Sequence, residues 1–305
     1  MIYDTIIIGS GPAGLAAAIY GSRAKLNMLV IEKNYMSGGQ INDTYEVDNY
    51  PGLPGISGME LGETFRNHAQ KLGANFVRAK VLDIQPDGEG AWFVRCKKET
   101  YHTKTVILAT GASHRKLLVP GEDELVGMGV SYCATCDGAF YKDGVVAVVG
   151  GGDVAVEDAI FLARSCKKVY VIHRREELRA AKVLQEKLFS LPNVELLWNT
   201  VVERIEGEEQ VETLSLYNKK EDQKETLAVD GVFVAVGTVP DTTLVDGIVS
   251  VDQGGYVIAN EDGITSADGI FAAGDVRTKQ LRQIVTAASD GANAITSVER
   301  YLIHR

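Results

Sequence analysis

Short apolar runs alternate along the chain with segments rich in small and polar residues, a pattern typical of alternating strands and helices. One succession of elements occurs twice: an apolar strand, a glycine-rich turn, a helix and a second apolar strand. The strand, helix and strand are predicted at 3–8, 12–23 and 28–31 in the first copy and at 145–149, 154–165 and 168–172 in the second. Each copy is typical of a βαβ unit, so we expect parallel sheets.

The turn of the first copy reads GSGPAG and matches the G-x-G-x-x-G pattern of dinucleotide-binding turns. Its candidate cofactor residues are Gly9, Gly11, Pro12, Ala13 and Gly14. Gly9 allows the tight turn, Gly11 lets the backbone approach a pyrophosphate, and Gly14 lets the helix close on the sheet. Glu32 follows Gly9 by 23 residues, at the end of the second strand, where a carboxylate can accept hydrogen bonds from ribose hydroxyls.

The turn of the second copy reads GGGDVA, and its candidate cofactor residues are Gly150, Gly151, Gly152, Asp153 and Ala155. Its second strand ends at His173, again 23 residues after the first glycine. Arg174 and Arg175 follow directly, and Arg179 is expected one helical turn further on. Guanidinium groups bind a 2′-phosphate that a carboxylate would repel, so this site is predicted to prefer NADP(H). The alternative interpretation is a solvated basic start of a helix.

Later strands end in residues suited to the same edge of a sheet. The segment TVILATGAS contributes Ala109, Thr110 and Gly111, and ADGIFAAGDV places Gly274 and Asp275 at the carboxyl end of a late strand. The tail after that strand is too short for a domain of its own, so we expect it to complete the first one. The predicted fold is α/β, with two Rossmann-like dinucleotide-binding domains of the three-layer type, the second inserted into the first. The boundaries are 1–113 and 243–305 for the first domain, and 114–242 for the second.

Composition narrows the function classes. The 305 residues carry a net charge of −10, which argues against binding to nucleic acid. No apolar run reaches about 18 residues, and the first strand begins too early for a signal peptide to precede it. Cys96 and Cys166 are isolated and are interpreted as small buried residues. We expect a cytoplasmic protein, where a persistent disulfide is unusual and a cycling one is not.

The other two cysteines, Cys133 and Cys136, lie in SYCATCDGAFY with Asp137 directly behind them. A zinc site needs about four ligands, and no second cysteine pair or histidine pair is available, so no metal is expected. A purely structural disulfide fits neither the compartment nor the spacing. A redox-active pair remains, because closely spaced cysteines with a lowered thiol pKa supply the thiolate that attacks disulfides. Asp137 could hold or release the proton that moves at each exchange, or could simply be a turn residue before Gly138.

The sequence resembles the bacterial low-molecular-weight thioredoxin reductases over nearly its whole length. The segments GSGPAG, GGQI, NYPG, ATGA, CATCDG, GGGDVA, HRR and GIFAAGDV occur in the order seen in that family. The cysteine pair precedes the second glycine-rich turn by 14 residues. In glutathione reductase and lipoamide dehydrogenase the cysteines instead follow the first turn closely.

The resemblance implies FAD in the first domain, NADPH in the inserted one, thioredoxin as the electron acceptor, and a homodimer. It adds Gly39, Gln40, Asn49, Arg282 and Gln283 to the candidate FAD-binding residues. It also implies that NADPH reduces the flavin, that the flavin reduces Cys133–Cys136, and that the dithiol reduces thioredoxin, with rotation of the NADPH domain between the half-reactions. By resemblance, Cys136 is nearer the flavin and attacks thioredoxin, although the sequence alone does not separate it from Cys133.

Two alternatives remain at this point. The first is a related flavin disulfide reductase that feeds a peroxidase or receives its electrons from ferredoxin; a ferredoxin-fed enzyme would not need both GGGDVA and HRR. The second is a flavin-binding redox sensor without turnover, which two intact nucleotide turns beside a cysteine pair disfavour. NADPH oxidation with and without thioredoxin separates all three.

Overall fold

The computed structural model describes residues 2–44, 47 and 49–304. The chain divides into two compact units: Met1–Asp43, Tyr50–Ser113 and Val239–Arg305 form unit 1, and Thr44–Asn49 and His114–Thr238 form unit 2. The chain therefore passes to unit 2 twice: at residues 44–49, and again from residue 114 until it returns to unit 1 at residue 239. The predicted return lies at residue 243, and the assignment of one cofactor to each domain stays a prediction.

Seven of the described strands form the sheet of unit 1, in the order β3-β2-β1-β6-β5-β4, with β17 also paired to β6. These strands are β1 (Ile2–Ile8), β2 (Met28–Glu32), β3 (Asn75–Arg78), β4 (Val81–Pro86), β5 (Trp92–Cys96), β6 (Thr100–Leu108) and β17 (Ile270–Ala272). The strands β1, β2, β3, β6 and β17 pair in parallel, whereas β4, β5 and the start of β6 are antiparallel. The sheet thus brings the carboxyl ends of β1, β2 and β17 to one edge.

Among the described residues, unit 1 has three α-helices: α1 (Pro12–Arg23), α2 (Gly58–Lys71) and α6 (Ile284–Ile303). Helix α2 begins with a capping box: the Ser57 hydroxyl accepts from the Glu60 N–H, and the Glu60 side chain accepts from the Ser57 N–H. α6 packs closely on α1, and Gly291 permits this approach: a Cβ at that position would lie 2.0 Å from the Ala13 carbonyl oxygen.

The main sheet of unit 2 is parallel, in the order β11-β10-β9-β15-β8. Its strands are β8 (Val130–Ser131), β9 (Val145–Gly150), β10 (Lys168–Ile172), β11 (Val194–Leu197) and β15 (Gly231–Ala235). The helices are α3 (Ala134–Asp137), α4 (Asp153–Leu162) and α5 (Lys182–Phe189). An antiparallel sheet is added by β12 (Thr200–Glu206), β13 (Thr213–Asn218) and β14 (Gln223–Ala228), and β7 (Ala112–His114) pairs with β16 (Thr238–Pro240).

The predicted α/β class with two Rossmann-like sheets is confirmed, and one local expectation is wrong. Arg179 was placed one helical turn beyond β10, but the segment from residue 174 to 181 is irregular and α5 begins only at Lys182. Tertiary hydrogen bonds replace the helical ones there: the Arg179 N–H donates to the Gly151 carbonyl at 2.7 Å.

Candidate functional site

The first glycine-rich turn combines tight packing with open space. Gly9 has φ +104°, and a Cβ there would lie 2.3 Å from the Ala109 carbonyl oxygen. A Cβ on Gly14 would lie 2.0 Å from the Gly9 carbonyl oxygen, so both glycines are required by the fold itself. Gly11 differs, because the nearest described atom to its Cβ position is the Gly38 carbonyl oxygen at 3.7 Å. The backbone of Gly11 therefore borders space that a bound group can enter.

Glu32 at the end of β2 is buried and already holds several donors. Its Oε2 accepts from the Ser10 N–H at 2.8 Å and the Ser10 hydroxyl at 2.7 Å, and its Oε1 accepts from the Asn34 N–H at 2.8 Å. The single hydroxyl proton of Ser10 goes to Glu32, so the Ser37 hydroxyl donates to Ser10 at 2.8 Å. Arg66 in turn donates to Ser37 at 2.8 Å. Sequence reasoning missed Ser10, Ser37 and Arg66; only Ser10, inside GSGPAG, had a local signal.

The carboxyl end of β17 holds two buried polar atoms that lack a hydrogen-bond partner among the described residues, Asp275 Oδ1 and Arg282 Nε. Burial raises the pKa of Asp275, against the lowering effect of Lys279 and Arg282. The Arg282 guanidinium lies 4.1 Å from the centre of the Tyr256 ring. Buried polar groups are normally satisfied, so these atoms fit a polar ligand, as FAD would be.

The other predicted FAD residues have protein partners or are exposed. The Gln40 amide donates to the Ala112 carbonyl, and the Thr110 hydroxyl donates to the Asp241 carbonyl at 2.7 Å. Asn49 is exposed and follows the undescribed Asp48. Gly39, Gly111 and Gly274 have φ of +63°, +73° and +80°. The side chain of Gln283 accepts from the backbone of Thr286 as the N-cap of α6.

The second glycine-rich turn repeats the arrangement of the first. A Cβ on Gly150 would lie 2.4 Å from the Ala235 carbonyl oxygen, and one on Gly151 would lie 2.3 Å from the His173 ring. Around Gly152 no described atom lies within 4 Å of the Cβ position. His173 is buried, and burial lowers the pKa of its imidazole, so the ring is neutral near pH 7 and packs against the turn.

Three exposed guanidinium side chains follow β10: Arg174, Arg175 and Arg179. None of them forms an ion pair within the described part of the chain. Their segment is held to the turn by the Arg179 N–H and by the Ala181 N–H, which donates to Asp153 Oδ1 at 2.7 Å. Asp153, a predicted cofactor residue, thus has a positioning contact, while the arginines stay available for an anion beside Gly152.

Cys133 and Cys136 form a disulfide with a Cα–Cα distance of 5.3 Å. Cys133 precedes α3, and its carbonyl accepts from the Cys136 N–H at 3.2 Å and the Asp137 N–H at 3.1 Å. Ser131 joins the group: its hydroxyl donates to Asp137 Oδ2 at 2.6 Å and accepts from the Cys133 N–H at 3.1 Å. Burial raises the pKa of Asp137, against the lowering effect of the hydrogen bond from Ser131, so the carboxyl beside the cysteine pair holds its proton more strongly than an exposed aspartate does.

The remaining cysteines, Cys96 and Cys166, are free and buried, as interpreted from the sequence, and burial raises the pKa of both thiols. The described residues contain no group of three or more His, Cys, Asp or Glu side chains that could hold a metal ion. Within the same part of the chain, none of the helices combines the length and apolar character that a bilayer crossing needs.

Comparison with known proteins gives matches over almost the whole chain. The family model for pyridine nucleotide-disulphide oxidoreductases matches residues 3–291. The thioredoxin reductase of Peptoclostridium acidaminophilum is 46% identical, covering 99% of this chain and 97% of that protein. That of Bacillus subtilis is 43% identical, covering 99% and 95%. A crystal structure of thioredoxin reductase from Streptococcus pyogenes superposes with a TM-score of 0.92 at 44% identity, covering 100% of this chain and 99% of that one.

Proposed function

Because this chain belongs to the pyridine nucleotide-disulphide oxidoreductase family and, within it, to the thioredoxin reductases, we propose that Cys133–Cys136 transfers electrons from NADPH, through FAD, to thioredoxin. The enzyme is an NADPH-dependent thioredoxin-disulfide reductase with FAD and NADPH as its cofactors. One observation carries the proposal of the relay: the Cys133–Cys136 disulfide lies in the same unit as the second glycine-rich turn, with the half-buried Asp137 carboxyl beside it.

When bound, NADPH would supply a hydride and FAD would relay its electron pair to the disulfide. The Cys133–Cys136 bond takes up that pair with two protons and becomes two thiols. Cys136, as thiolate, then attacks the disulfide of thioredoxin, and Cys133 resolves the mixed disulfide, so that the enzyme disulfide returns and thioredoxin leaves as a dithiol. Asp137 gives or takes a proton at the pair, a role that its raised pKa and its hydrogen bond from Ser131 support.

The residues proposed to hold FAD lie at the carboxyl end of the sheet of unit 1. The open space at Gly11 suits a pyrophosphate. Asp275 Oδ1 and Arg282 Nε, which have no hydrogen-bond partner among the described residues, suit polar groups of the cofactor. NADPH is proposed to bind in unit 2, with its pyrophosphate at Gly152 and its 2′-phosphate on Arg174 and Arg175. The remaining predicted FAD and NADPH residues are proposed to line the same two sites.

Three further features belong to the proposal. The dithiol and the NADPH turn lie on unit 2 and the FAD turn on unit 1, so a rotation of the two units would let nicotinamide and disulfide reach the flavin in turn. Of the four chain passages between the units, the two near Ala112 to Lys116 and near Pro240 to Thr243 are proposed as its hinge. A homodimer is proposed from the family resemblance, and a cytoplasmic location from the two free thiols beside one cycling disulfide.

The test replaces each cysteine of the pair by serine. Cys133→Ser and Cys136→Ser are expected to abolish NADPH-dependent reduction of thioredoxin while NADPH still bleaches the flavin absorbance. The matched control is Cys166→Ser, a cysteine buried outside the pair, which should keep thioredoxin reduction. Normal thioredoxin turnover by either pair variant would contradict the relay. Flavin that NADPH leaves oxidised in the unmodified protein, but reduced ferredoxin bleaches, would favour the ferredoxin-fed alternative.

A further inference from the structure

A buried cluster of charged side chains lies directly behind the turn of Gly274 and Asp275. Asp290 on α6 receives the Arg277 Nε at 3.0 Å and the Lys279 Nζ at 2.8 Å on Oδ2, and the Arg277 Nη2 at 3.0 Å on Oδ1. The Gly274 N–H donates to the same Oδ2 at 3.0 Å. One carboxylate therefore joins the turn, the strand-like segment after it and the helix.

The three charged side chains are almost fully withdrawn from water, with exposures of 4% for Arg277, 7% for Lys279 and 6% for Asp290. Burial opposes ionisation of Asp290, but the hydrogen bonds from Arg277 and Lys279 outweigh it, so the pKa of Asp290 is lowered. Asp290 is thus a carboxylate at neutral pH. Removing its charge would leave two buried cations without their shared partner, the situation that most destabilises a buried ion cluster.

The cluster is not neutral. Two cations face one buried carboxylate, and the only other carboxylate within ion-pair distance in the described residues is Glu261, 90% exposed and 3.6 Å from Arg277. Next to the cluster stands Asp275, whose Oδ1 has no partner among the described residues. Asp290 anchors the turn at Gly274 through the hydrogen bond from the Gly274 N–H. The position of the Asp275 carboxylate, which follows in the same turn, therefore depends on Asp290.

We propose that Asp290 is a positioning residue for FAD: it touches no part of the cofactor, but through the Gly274 N–H and Arg277 it fixes the turn that presents Asp275 to the ligand. The inference rests on the proposed function for the presence of FAD in unit 1. It predicts that loss of the Asp290 charge weakens FAD binding and leaves the NADP(H) turn, in unit 2, unchanged.

The experiment titrates apoprotein with FAD and follows the quenching of flavin fluorescence, after circular dichroism has shown that each variant is folded. Asp290→Asn is expected to raise the dissociation constant of FAD at least tenfold. The control is Glu122→Gln in unit 2. Glu122 is 1% exposed and accepts from the Leu117 and Leu118 N–H groups and the Tyr132 hydroxyl. Its loss should lower the melting temperature without changing FAD affinity.

A second variant keeps the test decisive if Asp290→Asn does not fold. The double variant Asp290→Asn with Lys279→Met keeps Arg277 as its one buried charge. The net buried charge of this cluster therefore equals that of the wild type, in which Arg277 and Lys279 share Asp290. This variant should still bind FAD several-fold more weakly, because the bidentate contact to Arg277 is gone. FAD affinity within twofold of the wild type in any folded Asp290 variant overturns the inference. A wild-type protein that binds no FAD overturns the proposed function instead.

Discussion

Substitution of Gly152 by alanine separates cofactor binding from folding. Gly152 is the N-cap of α4 with φ −93° and ψ −176°, a conformation that alanine adopts without strain. Apart from the adjoining backbone, no described atom lies within 4 Å of the new Cβ, so Gly152→Ala should leave the fold intact. Loss of chain entropy in the unfolded state favours alanine by about 0.4–1 kcal/mol, whereas alanine is a poorer N-cap residue than glycine, so the free energy of unfolding should change little.

The same methyl group occupies the space through which a pyrophosphate would approach the backbone N–H groups of the turn. Displacing the phosphate from one charge-assisted hydrogen bond costs about 1.5–3 kcal/mol. That corresponds to an NADP(H) dissociation constant raised roughly 10- to 150-fold. FAD binding should not change, because the first glycine-rich turn lies in unit 1.

The assay is calorimetric titration of the FAD-loaded protein with NADP⁺, together with urea unfolding. Gly150→Ala is the contrasting variant: its Cβ would lie 2.4 Å from the Ala235 carbonyl oxygen, so it should lower the free energy of unfolding. The reasoning is refuted if Gly152→Ala binds NADP⁺ within twofold of the wild type, or if it loses binding only in proportion to a loss of stability.

Replacing Arg174 and Arg175 by alanine should weaken NADPH binding by about 1.5–3 kcal/mol per lost charge-assisted contact, while the use of NADH stays nearly constant. The measurement is kcat/KM for each cofactor, and equal use of both cofactors by the unmodified protein would contradict the proposed role of the arginines. Because burial raises the pKa of Asp137, its contribution to stability is complete below about pH 3.9 and is lost as pH rises through the raised pKa. Relative to Asp137→Asn, the unfolding free energy of the oxidised wild type should therefore fall over that window, and a pH-independent difference would exclude the shift. Glu122→Gln replaces one acceptor oxygen by a donor and leaves a buried N–H or the Tyr132 hydroxyl unpaired, so urea unfolding should show a loss of about 1–3 kcal/mol in the free energy of unfolding. A loss below about 0.5 kcal/mol would contradict the hydrogen-bond assignment.

Much of the fold was predictable because its signals are local. Helix α1 begins at Pro12 and ends at Arg23 as the sequence predicts, and the Ser57–Glu60 capping box forms within one turn of chain. The two glycine-rich turns could also be predicted from the sequence. At some of their glycines a Cβ would clash with the protein, and at the others the missing Cβ leaves open space for a ligand. The disulfide also closes over a separation of only three residues.

What the tertiary structure decided is which distant groups meet. The segment 194–202 is divided between two sheets: β11 joins the main parallel sheet, whereas β12 begins the antiparallel one. The segment after β10 is not helical, because its N–H groups donate to the Gly151 carbonyl and to the Asp153 carboxylate instead of to carbonyls of the same segment. Residue type and hydrophobic periodicity indicate that a side chain is buried, but they do not indicate which distant side chain it contacts. The contacts of Asp290 with Gly274, Arg277 and Lys279 depend on how α6 packs beside the end of β17, and only the folded chain brings that carboxylate to them.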